Sequence, residues 1–114
     1  MEITSALLVL KALDGLAARS AVTAQNLANA ATPNYRPWRL TFETALKAAA
    51  AGGDAAIKNV EPRLARAISG TADATLRPDL ELATASGTAL RYGALVEVLN
   101  RELEIKALAA TGNT

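Results

Sequence analysis

The chain has 114 residues and a formal net charge of +1; 51% of its residues are hydrophobic but only 4% are aromatic. This length allows one domain with a modest core, and a charge near zero without a basic cluster predicts no nucleic-acid partner. Cysteine and histidine are both absent, which excludes disulfides, a Ser-His-Asp triad and the common zinc ligand sets. Because alanine dominates and adds little buried area per residue, we expect long thin helices.

The first segment has the pattern of a helix from Ser5 to Ala31. Apolar and small residues recur with the alternating four- and three-residue spacing of a coiled-coil seam, and a second apolar row lies beside it. The seam residues are Val9, Leu13, Leu16, Ser20, Thr23 and Leu27. Two apolar rows on one helix predict more than one neighbour. The run from Ser5 to Leu10 is too short to span a membrane and is a poor secretory signal, so the residues alone predict a cytosolic chain.

A turn is predicted directly after this helix, in the stretch QNLANAATPNY (25–35). A residue before proline avoids the helical region, so Thr32 should lie outside the helix. Pro33 suits the second position of a turn, and Asn34 suits the third, where a positive φ is often required. The simplest local interpretation is an ordinary helix end.

Two asparagines, Asn26 and Asn29, lie three residues apart on one face of the helix near this end. There they can bond the free carbonyls of the helix terminus or a partner chain.

The middle of the chain, residues 36–78, predicts a short helix followed by an irregular loop. Thr41 can cap a helix that runs to Ala51, where Gly-Gly ends it. Prolines, a glycine and a Thr/Ala/Asp run between Asp54 and Pro78 indicate a loop, with at most a turn of helix at Arg63 to Ile68. Three of the four aromatic residues predict a small local core rather than a ligand cage; they are Tyr35, Trp38 and Phe42.

The last segment, 79–114, predicts a second long helix with Asp79 as its N-cap. Its seam again has four-three spacing: Leu82, Ala85, Ala89, Tyr92, Val96, Leu99 and Leu103. Leu90 and Leu95 are among the residues that widen the apolar surface beside the seam. Gly87 and Gly93 predict either close helix contact or a local break.

We therefore predict an all-α fold in which the two long terminal helices pack antiparallel as a coiled-coil-like pair, with a short helix and an irregular loop between them. The residues assigned to helix packing and assembly are Leu13, Leu16, Leu27, Leu90, Tyr92, Leu95, Val96, Leu99 and Leu103. Acidic residues of the last helix, such as Glu97 four residues before Arg101, have the spacing of surface ion pairs. Since no phosphate loop, activated nucleophile or metal set is present, we predict no enzyme activity, no cofactor and no small-molecule substrate.

The stretch NLANAATPNY resembles the Asn-x-Ala-Asn-x-x-Thr-Pro-Gly-Tyr signature near the N-terminus of bacterial flagellar rod and hook proteins. The matching residues are Asn26, Ala28, Asn29, Thr32, Pro33 and Tyr35. Asn34 replaces the usual glycine and keeps the left-handed conformation accessible. LTFETAL (40–46) and the segment ending in ALRYGAL (79–95) resemble the proximal-rod group FlgB, whereas VEVLN (96–100) is closer to its sister group FlgC.

The resemblance implies a structural subunit of the proximal part of the flagellar basal-body rod, the drive shaft required for motility. It implies a place in the periplasmic rod, reached through the flagellar export apparatus without a cleaved signal. The implied partners are further copies of the chain, other rod subunits, the export apparatus and basal-body adaptor proteins.

Two other functions stay open from the residues. A helical adaptor or effector of a related type III secretion system would need less surplus apolar surface than a self-assembling subunit. A membrane-surface helix protein is disfavoured because neither long helix has a polar face rich in Lys and Arg.

Overall fold

A computed structural model describes residues 3–112, which are mostly helical. The elements in chain order are α1 (Ile3–Ala28), β1 (Trp38–Thr41), α2 (Glu43–Ala50), α3 (Asp54–Lys58), β2 (Arg63–Arg66), a short 3₁₀ helix (Ala72–Ala74) and α4 (Pro78–Ala110). The long helices α1 and α4 pack against each other. The molecule is elongated, with principal extents of 61 × 27 × 15 Å.

Contacts between α1 and α4 follow opposite orders along the two helices. Asn26, near the end of α1, bonds Glu81, near the start of α4. Further back in α1, Ala12 lines a groove together with Leu95 of α4. The two helices therefore run in opposite directions.

A two-stranded antiparallel sheet corrects the prediction of an all-α fold. β1 pairs with β2 so that Trp38 lies opposite Arg66 and Thr41 lies opposite Arg63. The predicted turn of helix at Arg63 to Ile68 is therefore wrong. The sequence of β2, Arg-Leu-Ala-Arg, lacks the apolar alternation that marks a half-buried strand. In agreement with this, all four of its side chains are exposed. Pairing with β1, and not a local pattern, makes this segment a strand.

The core lies where α1 meets the sheet and the two short helices. Its buried members are Leu16, Leu40, Phe42, Leu46 and Ile57. Ile57 is completely buried and belongs to α3, so part of the predicted irregular loop is an ordered helix. Phe42 packs so closely against α1 that a Cβ atom on Gly15 would lie 2.5 Å from the ring. Gly15 therefore makes room for the aromatic ring.

The two helices for which side-chain caps were predicted, α2 and α4, begin without them. α2 begins at Glu43 with Phe42 at the N-cap position, so Thr41 does not cap it. α4 begins at Pro78, which places Asp79 inside the first turn instead of at the N-cap. Proline suits that first position because its missing N–H would have no partner within the helix.

Gly87 and Gly93 do not mark a break or a close approach within the chain. The helix α4 continues through both residues, and a Cβ atom at either position would meet nothing within 4 Å. The predicted backbone contact at these glycines is therefore wrong for the described chain, residues 3–112.

Candidate functional site

The side chain of Asn26 joins three parts of the chain at the end of α1. Its Oδ1 accepts a hydrogen bond from the backbone N–H of Trp38 at 2.9 Å, and its Nδ2 donates to the carbonyl of Trp38 at 2.9 Å. The same Nδ2 donates to Oε2 of Glu81 at 3.1 Å. Asn26 is only 1% exposed. The asparagine predicted to bond a helix carbonyl or a partner chain instead connects α1, β1 and α4 of its own chain.

Side chains of α1 close the outer edge of β1, the edge that faces away from β2. Asn26 occupies both backbone groups of Trp38, as a neighbouring strand would. Farther along β1, Nη2 of Arg19 donates to the carbonyl of Leu40 at 2.9 Å. Because unpaired backbone groups on an edge strand are a template for further pairing, these side chains prevent strand addition on this side.

Glu81 is a buried carboxylate that is bonded on both oxygens. It is 2% exposed. Its Oε1 pairs with Nη1 of Arg39 at 2.5 Å, while its Oε2 accepts from Asn26. A buried charge is stable only when it is paired and hydrogen-bonded. The first turn of α4 is therefore fixed to β1 and to the end of α1 by one polar junction, which consists of Asn26, Arg39 and Glu81.

The turn after α1 has the predicted geometry. Asn34 has a φ of 60° and is the one non-glycine residue within residues 3–112 with a positive φ. The backbone N–H of Tyr35 donates to the carbonyl of Thr32 at 3.3 Å, which closes the turn around Pro33. The prediction that Asn34 occupies a positive-φ turn position is confirmed.

Asn29 completes the helix end on the exposed side. Its Nδ2 donates to the carbonyl of Gln25 at 2.9 Å, and its Oδ1 accepts from the hydroxyl of Thr32 at 3.1 Å. Asn29 thus bonds a helix carbonyl, as predicted, whereas Asn26 does not. Ala28 and Pro33, the remaining non-aromatic signature residues, are exposed.

Aromatic rings hold two arginine side chains beside this junction. The guanidinium carbon of Arg66 lies 5.2 Å from the ring centre of Tyr35 and 4.7 Å from that of Trp38. Arg19 lies 5.0 Å from the ring centre of Phe42. Of the three predicted local-core aromatics, Phe42 is therefore in the core, while Tyr35 and Trp38 are half-buried and stack on Arg66.

Arg19 also forms a two-pronged ion pair with the first residue of α2. Its Nη1 and Nη2 donate to the carboxylate oxygens of Glu43 at 2.6 and 2.7 Å. These hydrogen bonds lower the pKa of Glu43 from 4.5 to about 2. A planar guanidinium suits this bidentate geometry, whereas a lysine would act as a point charge.

The residues predicted for helix packing fall into three groups. Leu13 and Leu16 are buried. Leu27, Leu95, Val96 and Leu99 are half-buried. Leu90, Tyr92 and Leu103 are exposed. The predicted seam of α4 therefore does not coincide with the face that α4 buries within the chain.

The buried face of α4 is rotated relative to the predicted seam. Glu81 and Thr88 are buried, whereas their apolar neighbours Leu82 and Ala89 are exposed. Hydrophobicity alone ranks Leu82 above Glu81. The order is reversed because Glu81 has two hydrogen-bonding partners inside the fold. The burial of Glu81 is therefore explained by Asn26 and Arg39, which lie outside α4, and not by the hydrophobic pattern of α4 itself.

A row of exposed apolar residues runs along α4, and we name it the outer row. Its large members are between 46% and 76% exposed: Leu80, Leu90, Val98, Ile105 and Leu108. Ala83, Gly87 and Ala94 fall on the same helical face, since residues three and four apart are neighbours on a helix. The outer row does not include Glu81 or Thr88, which mark the face packed inside the chain.

No protein-family model matches this chain, and no curated protein shows significant similarity to it. In the part of the chain that the structure describes, no group of three or more acidic side chains could hold a metal ion. None of the helices in residues 3–112 is long and apolar enough to cross a membrane.

Proposed function

We propose that this chain is a structural subunit of the bacterial flagellar basal-body rod, of the proximal-rod type. The observation that carries the proposal is the outer row on α4. From Leu80 to Leu108 this row extends about 42 Å at the rise of an α-helix. Arg101 interrupts the row between Val98 and Ile105, and the exposed apolar surface on either side of it is typical of a protein that is covered by another chain. A subunit of a helical assembly needs such a surface in addition to its internal core.

The composition of the outer row suits helix-to-helix contact. Ala83, Gly87 and Ala94 alternate with larger apolar residues, and within residues 3–112 no atom outside the adjoining helix backbone lies within 4 Å of a Cβ placed on Gly87. Small residues let a neighbouring helix approach closely while the larger ones interdigitate. We assign the outer row to other rod subunits and to further copies of this chain.

Within one subunit, α1 and α4 form an antiparallel coiled-coil-like pair in this proposal. The more buried residues of α4 keep four-three spacing in two places, from Glu81 through Ala85 to Thr88 and from Leu95 through Leu99 to Glu102. That spacing is the one with which helices pack at a small crossing angle. The two ends of the pair differ, because the first turn of α4 is held against the end of α1 by the buried polar junction and not by an apolar layer.

The turn after α1 supports the resemblance to rod and hook proteins. The signature places glycine where this chain has Asn34, and Asn34 has a φ of 60°, a conformation that glycine adopts freely. The substitution therefore preserves the turn. In this proposal the chain leaves through the flagellar export apparatus without a cleaved signal, contacts basal-body adaptor proteins and resides in the periplasmic rod.

The proposal is tested by deleting the gene in the bacterium that encodes the chain. We expect non-motile cells whose basal bodies lack a completed rod, and immunodetection of the complementing protein in purified basal bodies. A deletion strain that swims normally, or basal bodies without the protein in motile cells, would contradict the assignment.

A pair of leucine variants tests the outer row separately. Leu90 is 76% exposed and lies in the row, whereas Leu82 is 57% exposed and lies outside it. We expect Leu90→Glu to fold and to be exported but not to enter the basal body. The same change at Leu82 should be incorporated. Equal incorporation of both variants would show that the outer row is not an assembly contact, while the deletion phenotype would still decide the function.

The alternative is a helical adaptor or effector of a related type III secretion system. The observation that favours it is the separate core around Ile57, formed by the short helices, β1 and α1, since such a core does not depend on neighbouring subunits. An adaptor would remain in the cytoplasm and an effector would reach the medium, so neither would be found in purified basal bodies.

A further inference from the structure

The edge of β2 that faces away from β1 has free backbone hydrogen-bonding groups. In an antiparallel pair, successive residues point their N–H and C=O alternately toward the partner strand and away from it. Trp38 points these groups away from β2, because both bind Asn26. Pro37, next to it, accepts a bond from Ala67 across the sheet at 3.1 Å. These bonds determine, for every residue of β1 and β2, whether its N–H and C=O point toward the other strand or away from it.

The register then identifies the free groups on β2. Arg66 lies opposite Trp38, and Leu64 lies opposite Leu40. Both residues of β2 therefore point their N–H and C=O away from β1, toward the open edge. All four residues of β2 are exposed, and within residues 3–112 no side chain and no loop backbone bonds the N–H or C=O of Leu64 or Arg66. The molecule closes the outer edge of β1 with α1 and leaves that of β2 open.

We propose that the open edge of β2 binds an extended acidic segment of another protein, which adds as a third strand. Main-chain hydrogen bonds to Leu64 and Arg66 would supply the pairing, as in other cases of strand addition. Side chains of the added strand would alternate between the two faces. One of its apolar residues would cover Leu64, which is 51% exposed, and its carboxylates would meet Arg63 and Arg66.

A second copy of this chain is disfavoured at this edge by charge. Antiparallel pairing of β2 with its own copy would bring four arginines and no carboxylate into one strand pair, and in-register parallel pairing would set each arginine beside its equivalent. Like charges directly opposite one another destabilise a strand pair. The β1 strand of another copy is also excluded, because Asn26 and Arg19 already occupy its outer edge. The charge of the strand therefore selects a segment rich in Asp or Glu.

Arg66 is prepared for a carboxylate before any partner arrives. The rings of Tyr35 and Trp38 lie within 5.2 and 4.7 Å of its guanidinium carbon and restrict its position. A guanidinium held in this way loses less conformational freedom on binding, and its planar fork can bind both oxygens of a carboxylate. This inference is independent of the proposal that the chain is a rod subunit.

The test measures fluorescence anisotropy of labelled peptides with the full chain. The probe is a peptide of three Val-Glu-Glu repeats, named the Val-Glu peptide, and its control is a peptide of three Val-Lys-Lys repeats, named the Val-Lys peptide. Arg63 and Arg66 lie on opposite faces of β2, and this repeat sets glutamates on both faces when a valine covers Leu64. We expect saturable binding of the Val-Glu peptide alone, weakened by added salt because the contacts are partly ionic. Absence of saturable binding, or equal binding of both peptides, would overturn the proposal.

Two variants locate the binding to the β2 edge. In Leu64→Pro the lost N–H points toward the open edge, so the inner pairing stays intact and affinity for the Val-Glu peptide should fall at least about tenfold. Arg63→Glu leaves the backbone unchanged and should shift the preference toward the Val-Lys peptide. Arg91→Glu, an exposed arginine of α4, is the charge-matched control and should bind as the unmodified chain does. If Arg63→Glu binds the Val-Glu peptide as tightly as Arg91→Glu does, the site is not on β2.

Discussion

Asn26 binds Trp38 through both backbone groups of that residue, accepting from its N–H and donating to its carbonyl at 2.9 Å each. A single side chain thus takes the place of a neighbouring strand at the outer edge of β1. Its remaining donor goes to Glu81, so the amide is satisfied in a site that excludes water. This relationship fixes the angle at which the chain leaves α1 and enters the sheet.

Removal of this amide should therefore be costly. Asn26→Ala leaves the N–H of Trp38 and one oxygen of Glu81 without a partner, and leaves the carbonyl of Trp38 with only the 3.4 Å bond from Arg39. We expect the free energy of unfolding to fall by about 3 kcal/mol. Asn29→Ala is the matched control three residues away. Its bonds lie on the exposed side of the helix, so it should cost less than about 1 kcal/mol. Urea denaturation followed by circular dichroism measures both, and equal losses would contradict the role of Asn26.

The ion pair of Arg39 with Glu81 predicts that the effects on stability of substituting these two residues are not additive. Arg39→Ala leaves a buried carboxylate with one remaining donor, and we expect a loss of about 2 kcal/mol, limited because Arg39 is half exposed. The double variant Arg39→Ala/Glu81→Gln removes the unpaired charge and should be more stable than Arg39→Ala alone. A double-mutant cycle with additive effects would show that the two residues do not interact.

The pair of Arg19 with Glu43 predicts a change in stability in acid. Because the pKa of Glu43 is lowered from 4.5 to about 2 in the folded chain, the unfolded chain binds this proton first. The contribution of the pair is therefore present above about pH 4.5 and is lost as the pH falls toward about 2. It is reduced by solvent screening, since Glu43 is half exposed. In that pH window the denaturation midpoint should change less with pH in Glu43→Gln than in the unmodified chain. Glu97→Gln, in the exposed pair with Arg101, should not alter this dependence.

The conformation of Asn34 predicts opposite effects of two substitutions. Asn34→Gly should change stability by no more than about 0.5 kcal/mol, since glycine adopts a positive φ freely. Asn34→Val should cost about 2 kcal/mol, because a β-branched side chain is strained there. Thermal unfolding by circular dichroism compares them. Similar melting temperatures for both variants would show that the turn adapts to either residue.

Two glycines in long helices should respond differently to alanine. At Gly15 the new Cβ would lie 2.5 Å from the Phe42 ring, so overpacking should cost more than the gain in helix propensity, a net loss of about 1 to 2 kcal/mol. At Gly93 no atom of the described residues outside the adjoining helix backbone lies within 4 Å of a new Cβ, so Gly93→Ala should stabilise the isolated chain by about 0.5 to 1 kcal/mol. Chemical denaturation measures the change in the free energy of unfolding for both variants, and the two changes should have opposite signs. A stabilising Gly15→Ala would mean that Phe42 moves without penalty.

Features fixed by neighbouring residues could be predicted from the sequence, and features fixed by distant ones could not. The Pro33-Asn34 turn follows from the backbone preferences of two adjacent residues, and the two long helices follow from periodicity. The burial of Glu81 depends on partners 42 and 55 residues away, so a helical pattern could not reveal it. β2 could not be predicted either, because its exposed side chains carry no alternation and its structure comes from pairing with β1.

The polar junction also has a consequence for the order in which the chain folds. Asn26 and Trp38 are 12 residues apart, whereas Asn26 and Glu81 are 55 apart. Closing the shorter loop costs less chain entropy, so the contact of α1 with β1 can form while α4 is still undocked. Until α4 arrives, one donor of the Asn26 amide stays open to water and the carboxylate of Glu81 remains solvated. We therefore expect docking of α4 to be a late step, in which the side chains of Asn26, Arg39 and Glu81 lose their remaining hydration together.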